Sequence, residues 1–142
     1  MNMKKTAGSI INDAPLAFSG ASWPKNFYSG YRGQMSFRTA LQQSVNVCAV
    51  KIYLQIGPDY AASMLKKVGI TTVDDEGEVN DLNPAALALG GMTQGISPLE
   101  LTAAYATFPN GGVYKNPISY TKVLNSKDEV LFEKVEDVYW FA

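Results

Sequence analysis

Apolar residues recur at helical spacing through the middle of this 142-residue chain and are scattered at its ends. Ser36 is placed to cap a short helix through Gln43. A second helix is predicted from Val47 to Ile56, where Gly57 supplies the stop. Pro58 opens a third at its first position; Ala61, Met64, Leu65 and Val68 fall at i, i+3, i+4 and i+7, and Gly69 ends it. Ser97-Pro98-Leu99-Glu100 carries every part of a helix start: a hydroxyl cap, a proline at the first position and a glutamate reaching back. Leu101, Ala104, Tyr105 and Phe108 are expected as its buried stripe, and Pro109-Asn110-Gly111-Gly112 as its end.

The two ends read differently. Asp13-Ala14-Pro15, Ser22-Trp23-Pro24, Ser29-Gly30 and Arg32-Gly33 are turn signals, so residues 1–35 are expected to be irregular. Gly112 to Leu124 and Glu129 to Val135 read as two strands around the polar turn Asn125-Ser126-Lys127-Asp128. Asp74 to Asp81 hold five acids and Gly77 without calcium-loop spacing, which predicts a solvated loop. The result is an α+β chain dominated by helix, read as one incomplete domain over 1–142: 1–35 irregular, 36–111 helical, 112–135 a β-hairpin.

Composition narrows function more than fold. Twelve basic and thirteen acidic side chains give a net charge of −1. A nucleic-acid binder shows a basic excess on one face, so no nucleic-acid partner is expected. Zero histidines remove the commonest metal ligand and the usual general base. One cysteine, Cys48, excludes an internal disulfide and a cysteine-rich zinc site, so neither metal nor cofactor is expected. Leu82 to Pro98 is uncharged but holds Pro84, three glycines, Thr93 and the two amides Asn83 and Gln94, whereas a bilayer helix needs about 20 predominantly apolar residues. No membrane contact is expected from this segment. Met1-Asn2-Met3-Lys4-Lys5 looks like a signal-peptide start, yet Thr6, Gly8, Asn12 and Asp13 interrupt any apolar run. An export signal is expected outside this chain.

Ser44-Val45-Asn46 falls where two helices meet. A hydroxyl and an amide two residues apart on a turn can face one cleft, relaying a proton and holding a carbonyl. Alone the triplet says little, because Ser and Asn at a helix junction are most often caps. Its surroundings say more. Arg38-Thr39-Ala40-Leu41-Gln42-Gln43-Ser44-Val45-Asn46-Val47-Cys48-Ala49-Val50-Lys51-Ile52 resembles the second active-site motif of penicillin-binding proteins. The block from Ala88 to Phe108, followed by Asn110-Gly111-Gly112-Val113-Tyr114 and by Pro117 to Val123, resembles the class A branch, the bifunctional glycosyltransferase–transpeptidases. The resemblance runs from about Ala7 to Lys134; Pro109 and Cys48 depart from the residues usual in the family.

That family works with three motifs, Ser-x-x-Lys carrying the acylated serine, Ser-x-Asn, and Lys-Thr-Gly or Lys-Ser-Gly. Only the second is present in its setting. Ser22-Trp23-Pro24-Lys25 lies among turns, Ser63-Met64-Leu65-Lys66 follows Ser44, and Ser119-Tyr120-Thr121-Lys122 falls on a predicted strand. Lys5-Thr6-Ala7 lacks the glycine. The resemblance therefore implies a helix-rich middle slice of a transpeptidase fold of the penicillin-binding protein and β-lactamase kind, its nucleophile outside this chain.

By the same resemblance, Ser44 relays a proton, Asn46 holds the acyl-side carbonyl and the lysine of the first motif, and Phe27 borders the substrate groove. The partners implied are peptidoglycan stem peptides, β-lactams and the remainder of the transpeptidase domain, at the extracytoplasmic face of the bacterial membrane. A serine β-lactamase or D,D-carboxypeptidase relative, and a non-catalytic module keeping the fold for protein contacts, are the alternatives. Cys48 reads as a small buried hydrophobe, since no histidine exists to activate it.

Overall fold

The computed structural model describes residues 4–18, 20–134 and 138–140, which gather into two compact units. One comprises Met1–Ala62 and Asp74–Gly95, the other Ser63–Val73 and Ile96–Ala142.

In the first unit, strand β1 (Ile10–Asp13) alternates strictly: Ile11 and Asp13 are buried, Ile10 and Asn12 exposed. Successive side chains on a strand face opposite sides, so burying Ile11 carries the carboxylate of Asp13 inward with it. Three further strands follow: β2 (Ala17–Phe18), β3 (Ala21–Ser22) and β4 (Gly33–Ser36). β1 pairs antiparallel with β4, Ile11 opposite Met35 and Asp13 opposite Gly33, while β2 pairs with β3. The stretch expected to be irregular is therefore strand-bearing. Its strands are two to four residues long, too short for a periodicity to show.

Helix α1 (Phe37–Gln42) begins where expected, with the Ser36 hydroxyl accepting from the Thr39 N–H at 3.1 Å. Helix α2 (Asn46–Ile56) stops at Gly57, which takes φ 84°. Its Val47 and Val50 are fully buried, each worth about 1.5–3 kcal/mol against exposure. Ile11, Ala40, Val45 and Cys48 form a core cluster, with Tyr28, Met35, Phe37 and Ile52 packed against it. Helix α3 (Pro58–Lys67) starts with its proline in the first position and buries Ala62, leaving Met64 and Leu65 half-buried. Helix α4 (Pro84–Leu87) is capped by Asn83, whose side chain accepts from the Ala86 N–H.

The acidic stretch 74–81 is solvated only in part. Asp81 is 1% exposed, and its carboxylate accepts from the Thr93 N–H and hydroxyl at 2.9 Å each and from the Asp74 N–H at 3.1 Å. The Thr93 and Asp74 N–H groups hold this carboxyl below the ordinary carboxylate range, against the opposing effect of burial.

In the second unit, helix α5 (Pro98–Ala106) carries the full reciprocal cap between Ser97 and Glu100. The stripe expected to be buried is not. Tyr105 is 66% and Phe108 77% exposed, Leu101 is exposed as well, and the residues actually buried are Ala103 and Thr107. Helical periodicity shows that a face is apolar; what covers that face is a separate matter. The expected hairpin over 112–135 is also revised. Strands β5 (Val113–Lys115), β6 (Lys122–Leu124), β7 (Val130–Glu133) and β8 (Val138–Trp140) form two pairs, β6 with β7 and β5 with β8. The turn at 125–128 is as read, the Asn125 side chain accepting from the Lys127 and Glu129 N–H groups. Asn116-Pro117 divides the first predicted strand, because proline has no N–H for the ladder. Val135 lies outside the described residues.

Candidate active site

The chain reverses at Ser44. Val45 N–H donates to the Ala40 carbonyl and Ser44 N–H to the Leu41 carbonyl, both at 3.0 Å, closing α1 in a Schellman arrangement. Ala40 and Val45, which pack together in this motif, are 4% and 2% exposed. Ser44 itself takes φ 48°, in the left-handed region where glycine is usual. A serine there costs on the order of 1 kcal/mol. Ser44 is not the N-cap of α2; Val45 holds that position. The Ser44 residue is exposed.

The start of α2 is capped from far away in sequence. Asn26 Oδ1 accepts from the Val47 N–H at 3.2 Å, and Asn46 Nδ2 donates to the Lys25 carbonyl at 2.9 Å. A carbonyl can only accept, so this bond settles which way the Asn46 amide faces: its NH2 toward Lys25, its Oδ1 on the other branch.

Behind Asn26 stands Asp13, fully buried. Asp13 Oδ1 accepts from Asn26 Nδ2 at 2.9 Å, and Oδ2 accepts from the Tyr28 hydroxyl at 2.6 Å and the Arg32 N–H at 2.9 Å. Burial pushes this carboxyl up, but the three donors and the charge of Lys51 outweigh it and hold the group below the ordinary range. Burial and the same bond push the Tyr28 phenol up to about 12, so it remains the donor. Lys51, on α2, donates to the carbonyls of Asn12 and Ala14 at 2.9 Å each. The Arg32 guanidinium lies 3.8 Å from the Tyr28 ring centroid and donates to Gln43 Oε1.

Ser44 and Asn46 line one cavity of about 450 Å³, with Cys48, Tyr53, Leu87 and Leu89 among its other walls. Phe27 is not one of them. Its ring is 76% exposed and stands edge-on to Tyr28, centroids 5.2 Å apart, on the segment that Asp13 holds. The structure thus brings two of the three expected site residues to one cavity and sets the third outside it. Cys48 is 1% exposed and burial pushes its thiol up, the behaviour of a core residue. Ser22 ends β3, Ser63 lies within α3, and Ser119 sits in a bend before β6 rather than on the strand predicted for it. Among the described residues, no group of three His, Cys, Asp or Glu side chains could hold a metal ion, and no helix is long and apolar enough to cross a membrane.

Lys25, Asn26 and Asp13 are the residues that sequence reasoning passes over. Asp13 shares a strand face with the core residue Ile11, but Ile10-Ile11-Asn12-Asp13 does not alternate apolar with polar, so no pattern in the sequence marks it. For Asn26 there is no local signal.

Residues 4–137 match the family model for the penicillin-binding protein transpeptidase domain, and the chain belongs to that family. Among its relatives is penicillin-binding protein 1A of Clostridium novyi, 37% identical over 137 residues, which cover 90% of this chain and 15% of the relative. Among solved structures, penicillin-binding protein 1A of Haemophilus influenzae superposes with a TM-score of 0.73 at 30% identity, over 96% of this chain and 20% of that one. Penicillin-binding protein A of M. tuberculosis, solved as a ceftriaxone acyl-enzyme complex, shares the fold at a TM-score of 0.74 and 18% identity, over 96% and 34% of the two chains. This chain spans well under a quarter of the length of the penicillin-binding protein 1A relatives it matches.

Proposed function

We propose that this chain contributes the Ser-x-Asn element to the active site of a class A peptidoglycan D,D-transpeptidase, at the extracytoplasmic face of the bacterial membrane. In such a site the acylated serine and its lysine, and the Lys-Thr-Gly or Lys-Ser-Gly strand, come from other parts of the polypeptide. The serine oxygen bonds to the carbonyl of the penultimate D-Ala of a stem peptide as the bond to the terminal D-Ala breaks. Ser44 passes the serine's proton toward the departing amine, while Asn46 orients the acyl carbonyl and the lysine of the first motif. The amine of a second stem peptide then takes the acyl group, and a β-lactam acylates the same serine. A glycosyltransferase domain in the same polypeptide completes the reading.

The observation that carries this proposal is Ser44: a non-glycine residue held at φ 48°, outside the N-cap position of α2 and in the same cavity as Asn46. Backbone strain of this kind clusters at functional positions. The test is a complete transpeptidase domain carrying this segment, with Ser44→Ala and Asn46→Ala compared by rate of acylation with a fluorescent penicillin. A fall on the order of a hundredfold in each is expected. Near-normal acylation in both would end the assignment.

A further inference from the structure

The carboxylate of Asp13 anchors the segment whose Lys25 carbonyl faces Asn46. It holds the 25–32 segment at three points, Asn26, Tyr28 and Arg32, with bonds of 2.9, 2.6 and 2.9 Å. Asn26 is the middle link: its Nδ2 is spent on Asp13, so its Oδ1 is turned to the Val47 N–H of α2. The neighbouring Lys25 carbonyl takes the Asn46 amide. The circuit closes through Lys51 on α2, which donates to the carbonyls on either side of Asp13. Phe27 lies between two anchored residues, Asn26 and Tyr28, which holds its exposed ring in place without touching it to the cavity.

We infer that Asp13 and Asn26 are positioning residues for the transpeptidase site, acting by setting the plane of the Asn46 amide through the Lys25 carbonyl and the first turn of α2. This rests on the role proposed above for Asn46. An amide in solution rotates among several orientations. Here one of its N–H groups is committed to Lys25, which leaves the second N–H and Oδ1 in a defined plane for a substrate carbonyl and a lysine ammonium. A misplacement of about 1 Å in such a group can cost a hundredfold in rate. Neither Asp13 nor Asn26 is among the cavity walls, so the effect is indirect and belongs to the chemical step more than to binding.

The test uses two samples. In this chain, Asn26→Ala should raise hydrogen exchange at the Val47 amide more than tenfold and shift the side-chain amide resonances of Asn46. In a complete transpeptidase domain carrying this segment, Asn26→Ala and Asp13→Asn should each lower the maximal acylation rate by on the order of tenfold to a hundredfold. The penicillin concentration giving half that rate should hardly move. The reciprocal double variant Asp13→Asn with Asn26→Asp keeps the geometry. The new amide at 13 can donate to the new carboxylate at 26 and still accept from Tyr28 and Arg32, while the carboxylate at 26 still accepts from Val47. It should recover most of the rate, a rescue that a purely structural account does not supply.

Where a single variant fails to fold, the double variant decides: a folded protein with restored acylation supports the inference, and a folded protein with acylation still depressed overturns it. Normal acylation in Asn26→Ala, with Asn46→Ala crippled, overturns the inference while leaving the role of Asn46 standing. Normal acylation in Asn46→Ala removes that role and the inference with it.

Discussion

A β-carbon on Gly69 would lie 2.0 Å from the phenolic oxygen of Tyr114. Gly69 follows α3 at φ 83°, and Tyr114, on β5, is 5% exposed. The glycine is thus required twice, by its backbone and by the ring against it. Gly69→Ala is expected to destabilise by about 2–4 kcal/mol, combining the left-handed penalty with displacement of a buried ring. Urea unfolding measures it. Pairing the change with Tyr114→Ala separates the two parts, since only the steric part couples to Tyr114. A Gly69→Ala protein as stable as the wild type would contradict the packing described.

The role proposed for Ser44 separates stability from function. Ser44→Gly is expected to stabilise the chain by roughly 1 kcal/mol, because glycine takes φ 48° without penalty. Ser44→Ala should stay within about 0.5 kcal/mol of wild type, since Ser44 is exposed and is not the N-cap of α2. In a complete transpeptidase domain both variants should lose transpeptidation on the order of a hundredfold. Melting curves beside acylation rates check this, and a large drop in melting temperature for Ser44→Ala would return the hydroxyl to a structural role.

Glu100 gives the second unit a dependence on acid. Its carboxylate accepts from the Thr71 hydroxyl at 2.6 Å, the Ser97 hydroxyl at 2.8 Å, and the N–H groups of Thr71 and Ser97. These donors, the Thr71 hydroxyl first, bring it down to about 2. A carboxyl depressed on folding stabilises above its unfolded value, about 4.3, and loses that contribution as pH falls through the folded one. The difference in melting temperature between wild type and Glu100→Gln should therefore be full above pH about 5 and shrink steadily toward pH 2. A difference independent of pH would contradict the bonding described.

The chain by itself should leave a fluorescent penicillin unreacted. Among the described residues, Ser63 is the one Ser-x-x-Lys serine that lies on a helix, and it follows Ser44 instead of preceding it. Denaturing electrophoresis after incubation should show a dark band. A covalent label mapped to Ser22, Ser63 or Ser119 would place a nucleophile where none is assigned.

What the sequence reveals follows the range of the interactions. The caps at Ser36 and Ser97 are legible because donor and acceptor lie three residues apart. The Ser44–Asn46 pair is legible because the turn between α1 and α2 is built from adjacent residues and because its flanks resemble a known motif. The exposure of Tyr105 and Phe108 is not legible, since periodicity is the same for a covered and an uncovered face. The division of the predicted hairpin turned on Pro117, which is in plain view, but the pairing of β5 with β8 joins residues far apart. Asp13 and Asn26 are missed for the same reason. Their bonds span 13 to 21 residues, beyond any window in which a pattern can be read.

That long span also governs the order in which the site is assembled. Closing a 21-residue loop to bring Asn26 to Val47 costs roughly 2 kcal/mol more chain entropy than a contact three residues apart. The turn at Ser44 can form with its own helix, whereas the first turn of α2 acquires its external cap only after the 25–32 segment has docked. Folding kinetics of Asn26→Ala should accordingly show faster unfolding and an almost unchanged folding rate. The amide of Asn46 is bonded by that same docked segment, so the candidate site reports on the completeness of the fold around it.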